Sequence, residues 1–66
     1  MLITLNGLPH RLLENSTIAD LLTTLNHAGK RLAVERNGEI VPRSLHLTTV
    51  LAQGDAVEIV VAVGGG

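Results

Sequence analysis

The sequence predicts an α+β fold in which a mixed β-sheet packs on one main α-helix. Two Asn-Gly pairs, Asn6-Gly7 and Asn37-Gly38, each separate two β-type segments and predict two hairpins. One apolar stripe with the period of an α-helix lies between the hairpins, and a β-rich segment at 56–62 follows the second hairpin. Packing the stripe of one helix against a single sheet is the economical way to bury these elements together.

The first predicted hairpin covers the amino-terminal part of the chain. Residues 1–5 are expected to form a strand with Ile3 and Leu5 on one face, because side chains alternate along a strand. The return strand is expected to run through about residue 13, with Leu12 or Leu13 facing the core.

The helix is predicted at residues 17–28. Thr17 and Asp20 have the spacing of a capping box, in which Asp20 replaces the usual Glu or Gln. The apolar residues recur at i, i+3, i+4 and i+7: Ile18, Leu21, Leu22 and Leu25. Gly29 has the conformational freedom of the left-handed residue that ends many helices, so we expect the helix to stop just before it.

The second half of the chain predicts three more strands. Residues 32–36 alternate as a strand, and the short strand at 39–41 is followed by Pro42, which suits a sheet edge. Residues 44–51 are ambiguous and leave room for one short helical turn, and residues 53–55 form a turn. The last strand has two faces: Val57, Ile59 and Val61 on one, and Glu58, Val60 and Ala62 on the other.

The element order is therefore two strands, a helix, two strands, a short turn and a last strand. This order is that of the β-grasp, or ubiquitin-like, arrangement. We expect one domain at residues 1–62, followed by a flexible C-terminal tail at 63–66 that ends in three glycines.

Composition excludes several classes of function. The 66 residues suffice for one domain with a thin core, which favours a carrier or binding role. The five basic residues are scattered and there is no aromatic residue, so we expect no nucleic-acid partner. The absence of cysteine excludes disulfides and thiolate catalysis, and His10, His27 and His46 lack metal-ligand spacing and are expected at the surface. No segment has the pattern of a secretory leader or a membrane span, so a cytoplasmic location is expected.

Several segments together resemble one known family. They are the opening at 3–7 (Ile-Thr-Leu-Asn-Gly), the middle at 37–43 (Asn-Gly-Glu-Ile-Val-Pro-Arg), the ending at 54–59 (Gly-Asp-Ala-Val-Glu-Ile) and the glycine tail. In this order and at this length, the chain resembles the sulfur carriers of thiamine biosynthesis, the ThiS family, over its whole length.

The resemblance implies a carrier, not an enzyme. It implies that the carboxylate of Gly66 is adenylated with ATP and converted to a thiocarboxylate, whose sulfur enters the thiazole ring of thiamine. Gly65 and Gly64 then form the thin part of the tail that threads into a partner. The implied partners are an E1-like adenylating enzyme of the ThiF type, a thiazole synthase of the ThiG type and sulfur derived from a cysteine desulfurase. ATP and Mg²⁺ are used by the adenylating enzyme, and the carrier itself holds no cofactor or metal.

Three residues outside the tail are candidates for docking a partner. Val60 and Ala62 lie on the face of the last strand opposite its core residues, where an exposed apolar patch suits an interface. Isolated apolar residues are also common on protein surfaces. Arg43 is interpreted either as a partner contact or as a solvated arginine at a strand end.

Alternatives to the thiazole pathway share the fold and the tail. They are the small subunit of molybdopterin synthase, a carrier for tRNA thiolation, a ubiquitin-like protein modifier, and an interaction module whose tail has no chemical role.

Overall fold

Five β-strands and one α-helix form within residues 1–62, the part of the chain that the computed structural model describes. The strands are β1 (Leu2–Leu5), β2 (Leu8–Arg11), β3 (Leu32–Arg36), β4 (Glu39–Ile40) and β5 (Ala56–Val61), and helix α1 (Ile18–Thr24) lies between β2 and β3. The sheet order is β2-β1-β5-β3-β4. Strands β1 and β5 are parallel and the other neighbours are antiparallel, so the mixed sheet with one helix is as predicted. The predicted tail at 63–66 lies outside the described residues.

The core lies between α1 and one face of the sheet. Its buried aliphatic residues within the described part are Ile3, Ile18, Leu21, Leu22, Val34, Leu51, Val57 and Ile59. Three of the four residues of the predicted helix stripe are buried there, and the fourth, Leu25, packs against the cluster while partly exposed. Each fully buried aliphatic side chain stabilises the fold by about 1.5–3 kcal/mol relative to an exposed one.

Both predicted hairpin turns are present. Asn6 and Gly7 have φ of 50° and 83°, and Asn37 and Gly38 have φ of 52° and 84°. Two consecutive positive φ angles are what a type I′ turn requires, and Asn and Gly adopt them at the least cost.

Strand β2 ends earlier than predicted, at Arg11. Leu12 is the residue that packs against the core, whereas Leu13 is 84% exposed. The chain turns away from the sheet here, because the Ser16 hydroxyl donates to Leu13 O at 2.7 Å and Asn15 adopts a left-handed φ of 66°.

The start of α1 was predicted correctly. The Asp20 N–H donates to Thr17 Oγ1 at 3.1 Å, and the Thr17 N–H donates to Asp20 Oδ2 at 2.9 Å. These reciprocal bonds form the capping box, so the aspartate replaces the longer Glu or Gln without losing either contact.

The predicted end of the helix at residue 28 is wrong. Helix α1 ends at Thr24, since Asn26 already adopts the left-handed conformation, with φ of 60°. The His27 N–H donates to Leu22 O at 2.8 Å and the Asn26 N–H donates to Thr23 O at 3.0 Å, which is the Schellman pattern. Gly29 is also left-handed, but it lies in the loop that follows.

The segment between β4 and β5 contains the short helical turn that the sequence left open. A 3₁₀ turn forms at Arg43–Leu45, directly after Pro42. Strand β4 is at the sheet edge, as Pro42 suggested. The segment then returns to the helix start, where Val50 pairs with Thr17, and Leu51 enters the core.

The asparagines of both hairpin turns also hold the central strand β5. The side-chain amide of Asn6 accepts from Ile59 N–H at 2.8 Å and donates to Ile59 O at 3.2 Å. From the other side, Asn37 Oδ1 accepts from Ala56 N–H at 2.9 Å. The two turns therefore fix β5 by side-chain bonds in addition to the strand pairing.

The predicted turn at 53–55 contains a buried carboxylate. Asp55 accepts hydrogen bonds from Ala52 N–H at 2.9 Å, Asn37 Nδ2 at 3.1 Å and Arg36 Nε at 2.9 Å. Burial by itself raises the pKa of Asp55, but the hydrogen bonds from Ala52 and Asn37 and the ion pair with Arg36 outweigh it, so this pKa lies below its ordinary value. The start of β5 therefore depends on an ionised Asp55.

We expect Asn6→Gly to lower the free energy of unfolding by about 1–2 kcal/mol, because it removes two hydrogen bonds to Ile59 while glycine keeps the turn geometry. Asn15→Gly is the matched control, since Asn15 is also left-handed and exposed. Urea unfolding measures both. If both substitutions lowered the free energy of unfolding equally, the hydrogen bonds of the Asn6 amide to Ile59 would not contribute to stability.

We expect the wild type to lose stability relative to Asp55→Asn as the pH falls. The lowered pKa of Asp55 means that its contribution is complete above the unfolded-state pKa, about 3.9, and disappears as the folded carboxyl is protonated below it. At pH 7 the substitution should cost about 2 kcal/mol, because the amide has one acceptor oxygen where the carboxylate has two, so it cannot accept from Asn37 and also from Arg36 and Ala52.

Urea unfolding of both proteins at pH 7 and pH 3 tests this expectation, with the exposed Glu58→Gln as the matched control. A difference between wild type and Asp55→Asn that stays the same at both pH values would refute it.

Candidate functional site

The sheet face opposite α1 carries an apolar surface. Val60 is 68% exposed, and its register partner on β3 is the exposed Ala33. Ile40, on β4, is also 68% exposed. Alternation along β5 puts Ala62 on the same face, and Ala62 is exposed as well. The two apolar docking candidates therefore lie at the solvent surface, on the side that the sequence predicted.

The end of β5 marks the root of the predicted tail. Its last register pair is Leu32 with Val61, and the Ala62 N–H then donates to Arg31 O at 2.8 Å. The tail candidates Gly64, Gly65 and Gly66 follow, and all three lie outside the described residues. The structure thus defines where the chain leaves the sheet.

Arg43, the third docking candidate, lies near the same end of the molecule. Its guanidinium Nη2 donates to Lys30 O at 3.0 Å, and Lys30 directly precedes Arg31, the hydrogen-bond partner of Ala62. The side chain is exposed. Residues that are far apart in the sequence, Arg43 and Ala62, are therefore brought to one end of the sheet by the 30–31 segment.

Two grooves lie beside α1, away from the Val60 face. The larger, of about 620 Å³, runs from Arg11 to Ser16 and along the helix. Its Asp20 and Ser16 side chains are engaged in the capping box and in the bond to Leu13 O. The second groove, of about 410 Å³, lies between the helix end and the 3₁₀ turn, and Lys30 and Arg43 line it.

The histidines do not form a site. His46 is buried, which contradicts the expectation of a surface residue; it caps the C-terminal end of the 3₁₀ turn, and its Nε2 lies 3.0 Å from Val41 O. His10 and His27 are partly buried. Within residues 1–62 no group of three His, Asp or Glu residues is placed to hold a metal ion.

The same part of the chain has no helix with the length and hydrophobicity needed to span a membrane.

A solved protein has the same architecture over its full length. The crystal structure of the thiamine biosynthesis protein ThiS from Geobacter metallireducens superposes with a TM-score of 0.84, at 36% identity, and the match covers all of both chains. This likeness confirms the ubiquitin-like β-grasp fold.

Relatives in sequence agree with this match. The sulfur carrier protein ThiS of Bacillus subtilis is 40% identical over 53 residues, which are 80% of this chain and 80% of that protein. A thiazole synthase of Magnetococcus marinus is 41% identical over all 66 residues. The chain spans only 20% of the length of that synthase. The model of the ThiS family matches residues 3–66, which includes the glycine tail. The resemblance drawn from the motifs is confirmed, and the chain belongs to the ThiS family.

Proposed function

We propose that this chain is a sulfur carrier of thiamine biosynthesis. Its Gly66 carboxylate is adenylated with ATP and converted to a thiocarboxylate, which donates sulfur for thiazole formation. The observation that carries the proposal is the family match over residues 3–66, which joins the β-grasp domain to the three terminal glycines. The full-length likeness to the Geobacter ThiS supports it.

The chemistry begins with an ionised carboxylate. An α-carboxyl group has a pKa of about 3.3–3.7, so Gly66 carries a negative charge at neutral pH. One carboxylate oxygen attacks the α-phosphorus of ATP, a new O–P bond forms, and pyrophosphate leaves. The product is a mixed anhydride whose AMP group is a good leaving group.

Sulfur replaces the AMP in the second step. A persulfide sulfur, derived from a cysteine desulfurase, attacks the Gly66 carbonyl carbon and releases AMP. A thiol then attacks the sulfur that belonged to the persulfide carrier, so the S–S bond of the acyl disulfide breaks, a new disulfide forms between these two sulfurs, and the thiocarboxylate leaves. Gly65 and Gly64 suit this repeated transfer, because they have no side chain to clash with a narrow channel.

The partner supplies the catalytic groups. The attack on ATP brings two anions together, and Mg²⁺ and hydrogen-bond donors must offset their repulsion. In our proposal these belong to an E1-like adenylating enzyme of the ThiF type, so the chain is a substrate and not an enzyme. The proposed location is the cytoplasm.

A thiazole synthase of the ThiG type is the proposed acceptor of the sulfur. The thiazole synthases of Magnetococcus marinus and Paramagnetospirillum magneticum each contain a segment similar to this whole chain, at 41% and 38% identity. A carrier domain and a synthase joined in one polypeptide meet at high effective concentration, which suits a direct transfer between them.

The exposed apolar surface is proposed to dock the partner. Val60 and Ala62 present it next to the tail root, and Arg43 lies near the same end. An apolar patch with a polar rim is the usual composition of such an interface.

Thiocarboxylate formation can be measured directly by intact mass. With ATP, the adenylating enzyme and a cysteine-desulfurase sulfur source, we expect a mass gain equal to replacing one oxygen by sulfur. Gly65→Val should abolish the gain because a β-branched side chain blocks the channel, whereas Gly64→Ala should keep it. No mass change with a competent partner would refute the carrier function, and high-mass conjugates would indicate a protein modifier.

A charge at Val60 should impair docking without impairing the fold. We expect Val60→Glu to lower the rate of adenylation by about tenfold or more, as desolvating a charge at an interface costs over 1.4 kcal/mol. Leu13→Glu is the matched control, since Leu13 is even more exposed, at 84%, and lies outside the proposed surface. An unchanged pyrophosphate-release rate for Val60→Glu would contradict the assignment.

A further inference from the structure

Three basic residues lie close to the tail root. Arg31 O holds the Ala62 N–H at 2.8 Å, Lys30 is its neighbour in the chain, and Arg43 Nη2 binds Lys30 O at 3.0 Å. All three cationic side chains are exposed. Three of the five basic residues of the protein are therefore gathered where the chain leaves the sheet.

These charges are not neutralised by neighbouring carboxylates in the part of the chain that the structure describes. The ion pairs found there join the Met1 amino group to Glu14 and Arg36 to Asp55. The acidic residues lie elsewhere in the fold: Glu14, Asp20, Glu35, Glu39, Asp55 and Glu58.

The strand register places Glu39 and Asp55 at the end of the sheet opposite the tail root. Arg36 pairs with Val57 at one end of the β3–β5 ladder, and Glu39 and Asp55 lie at that end. Leu32 pairs with Val61 at the opposite end, next to Arg31. The protein has a net charge of −1, yet Lys30, Arg31 and Arg43 lie together at the root of its tail.

The tail is too short to separate this positive end from a partner. An extended chain spans at most about 3.6 Å per residue, so residues 63–66 reach no more than about 14 Å beyond Ala62. A partner that acts on Gly66 must therefore bring the mouth of its channel against the tail root.

We propose that Lys30, Arg31 and Arg43 form a basic collar that docks against carboxylates at the mouth of the tail channel of the adenylating enzyme. This inference rests on the proposed function and adds the chemistry of the partner surface. Exposed charges of opposite sign accelerate association and set orientation over about 8–10 Å at ordinary salt. The collar lies at the tail root, whereas the phosphates of ATP meet the tail tip. The groups that the collar contacts are therefore carboxylates of the partner protein and not phosphates of the nucleotide.

The test measures adenylation by pyrophosphate release with the ThiF-type enzyme from the same genome. The variants are Lys30→Glu and Arg31→Glu, whose backbones can keep their hydrogen bonds. We expect each to raise the KM for the carrier by about threefold to tenfold at low salt, with kcat and the KM for ATP unchanged. The effect should shrink at about 0.5 M salt, where charges are screened.

Arg11→Glu is the matched control. It makes the same charge change on β2, where Arg11 pairs with Leu2 at the start of β1 and faces the other end of the sheet. This substitution should leave the KM for the carrier within about twofold of wild type, since Arg11 is farther from the tail root than the screening length of about 8–10 Å. Thermal unfolding should be similar for all variants, because the side chains are exposed. For the Arg31→Glu carrier, replacing a carboxylate residue at the partner's channel mouth with lysine should bring the KM back toward the wild-type value.

The results of these assays separate a failure of the collar from a failure of the carrier function. A raised KM for ATP would mean that the collar contacts nucleotide, and this would overturn the inference. If Arg31→Glu and Arg11→Glu changed the KM for the carrier equally, or if the change did not depend on salt, the collar would be refuted while the carrier function stands. A wild-type protein that is never adenylated would refute the proposed function and the collar together.

Discussion

The position of the last strand is the constraint on which the rest of the structure depends. Strand β5 lies between β1 and β3, and in the part of the chain that the structure describes its register with β1 consists of two pairs, Thr4 with Ala56 and Leu5 with Val57. Beyond Leu5 the chain has already turned, and the Asn6 side chain takes over by bonding both polar backbone groups of Ile59. A parallel pair this short is weak by itself, so the side-chain amide extends the ladder where the neighbouring strand has ended.

The same register couples the core to the surface. Because side chains alternate along a strand, burying Val57 and Ile59 against the helix forces Val60 outward. A slip of one residue would place Glu58 and Val60 in the core and expose Val57 and Ile59. The bonds that hold β5 in register therefore maintain the exposed patch as well as the stability of the fold.

Local patterns predicted the elements, and tertiary contacts decided what the patterns left open. The Asn-Gly turns, the capping box of Thr17 and the helix stripe depend on short-range spacing, and all three were predictable. The end of the helix was not predictable, because Asn26 and Gly29 both tolerate a positive φ. The helix ends before Asn26, where the His27 N–H donates to Leu22 O. The burial of Asp55 was missed because its partner Arg36 is 19 residues away in the sequence. The burial of His46 was missed because the segment after the 3₁₀ turn packs against α1, where Ala19 N–H donates to His46 O at 2.9 Å.

In the proposed function, the partner recognises this carrier mainly by its folded domain. A glycine tail offers backbone groups and one carboxylate, and many chains could present the same groups to a narrow channel. A partner that read the tail alone could not distinguish this chain from another with the same ending. The scattered basic residues of the sequence become a cluster only when Arg43 reaches Lys30, and Val60 becomes a surface only in the sheet. In the proposed function, folding thus creates the features by which the adenylating enzyme would select its substrate, while the tail would deliver the reacting atom.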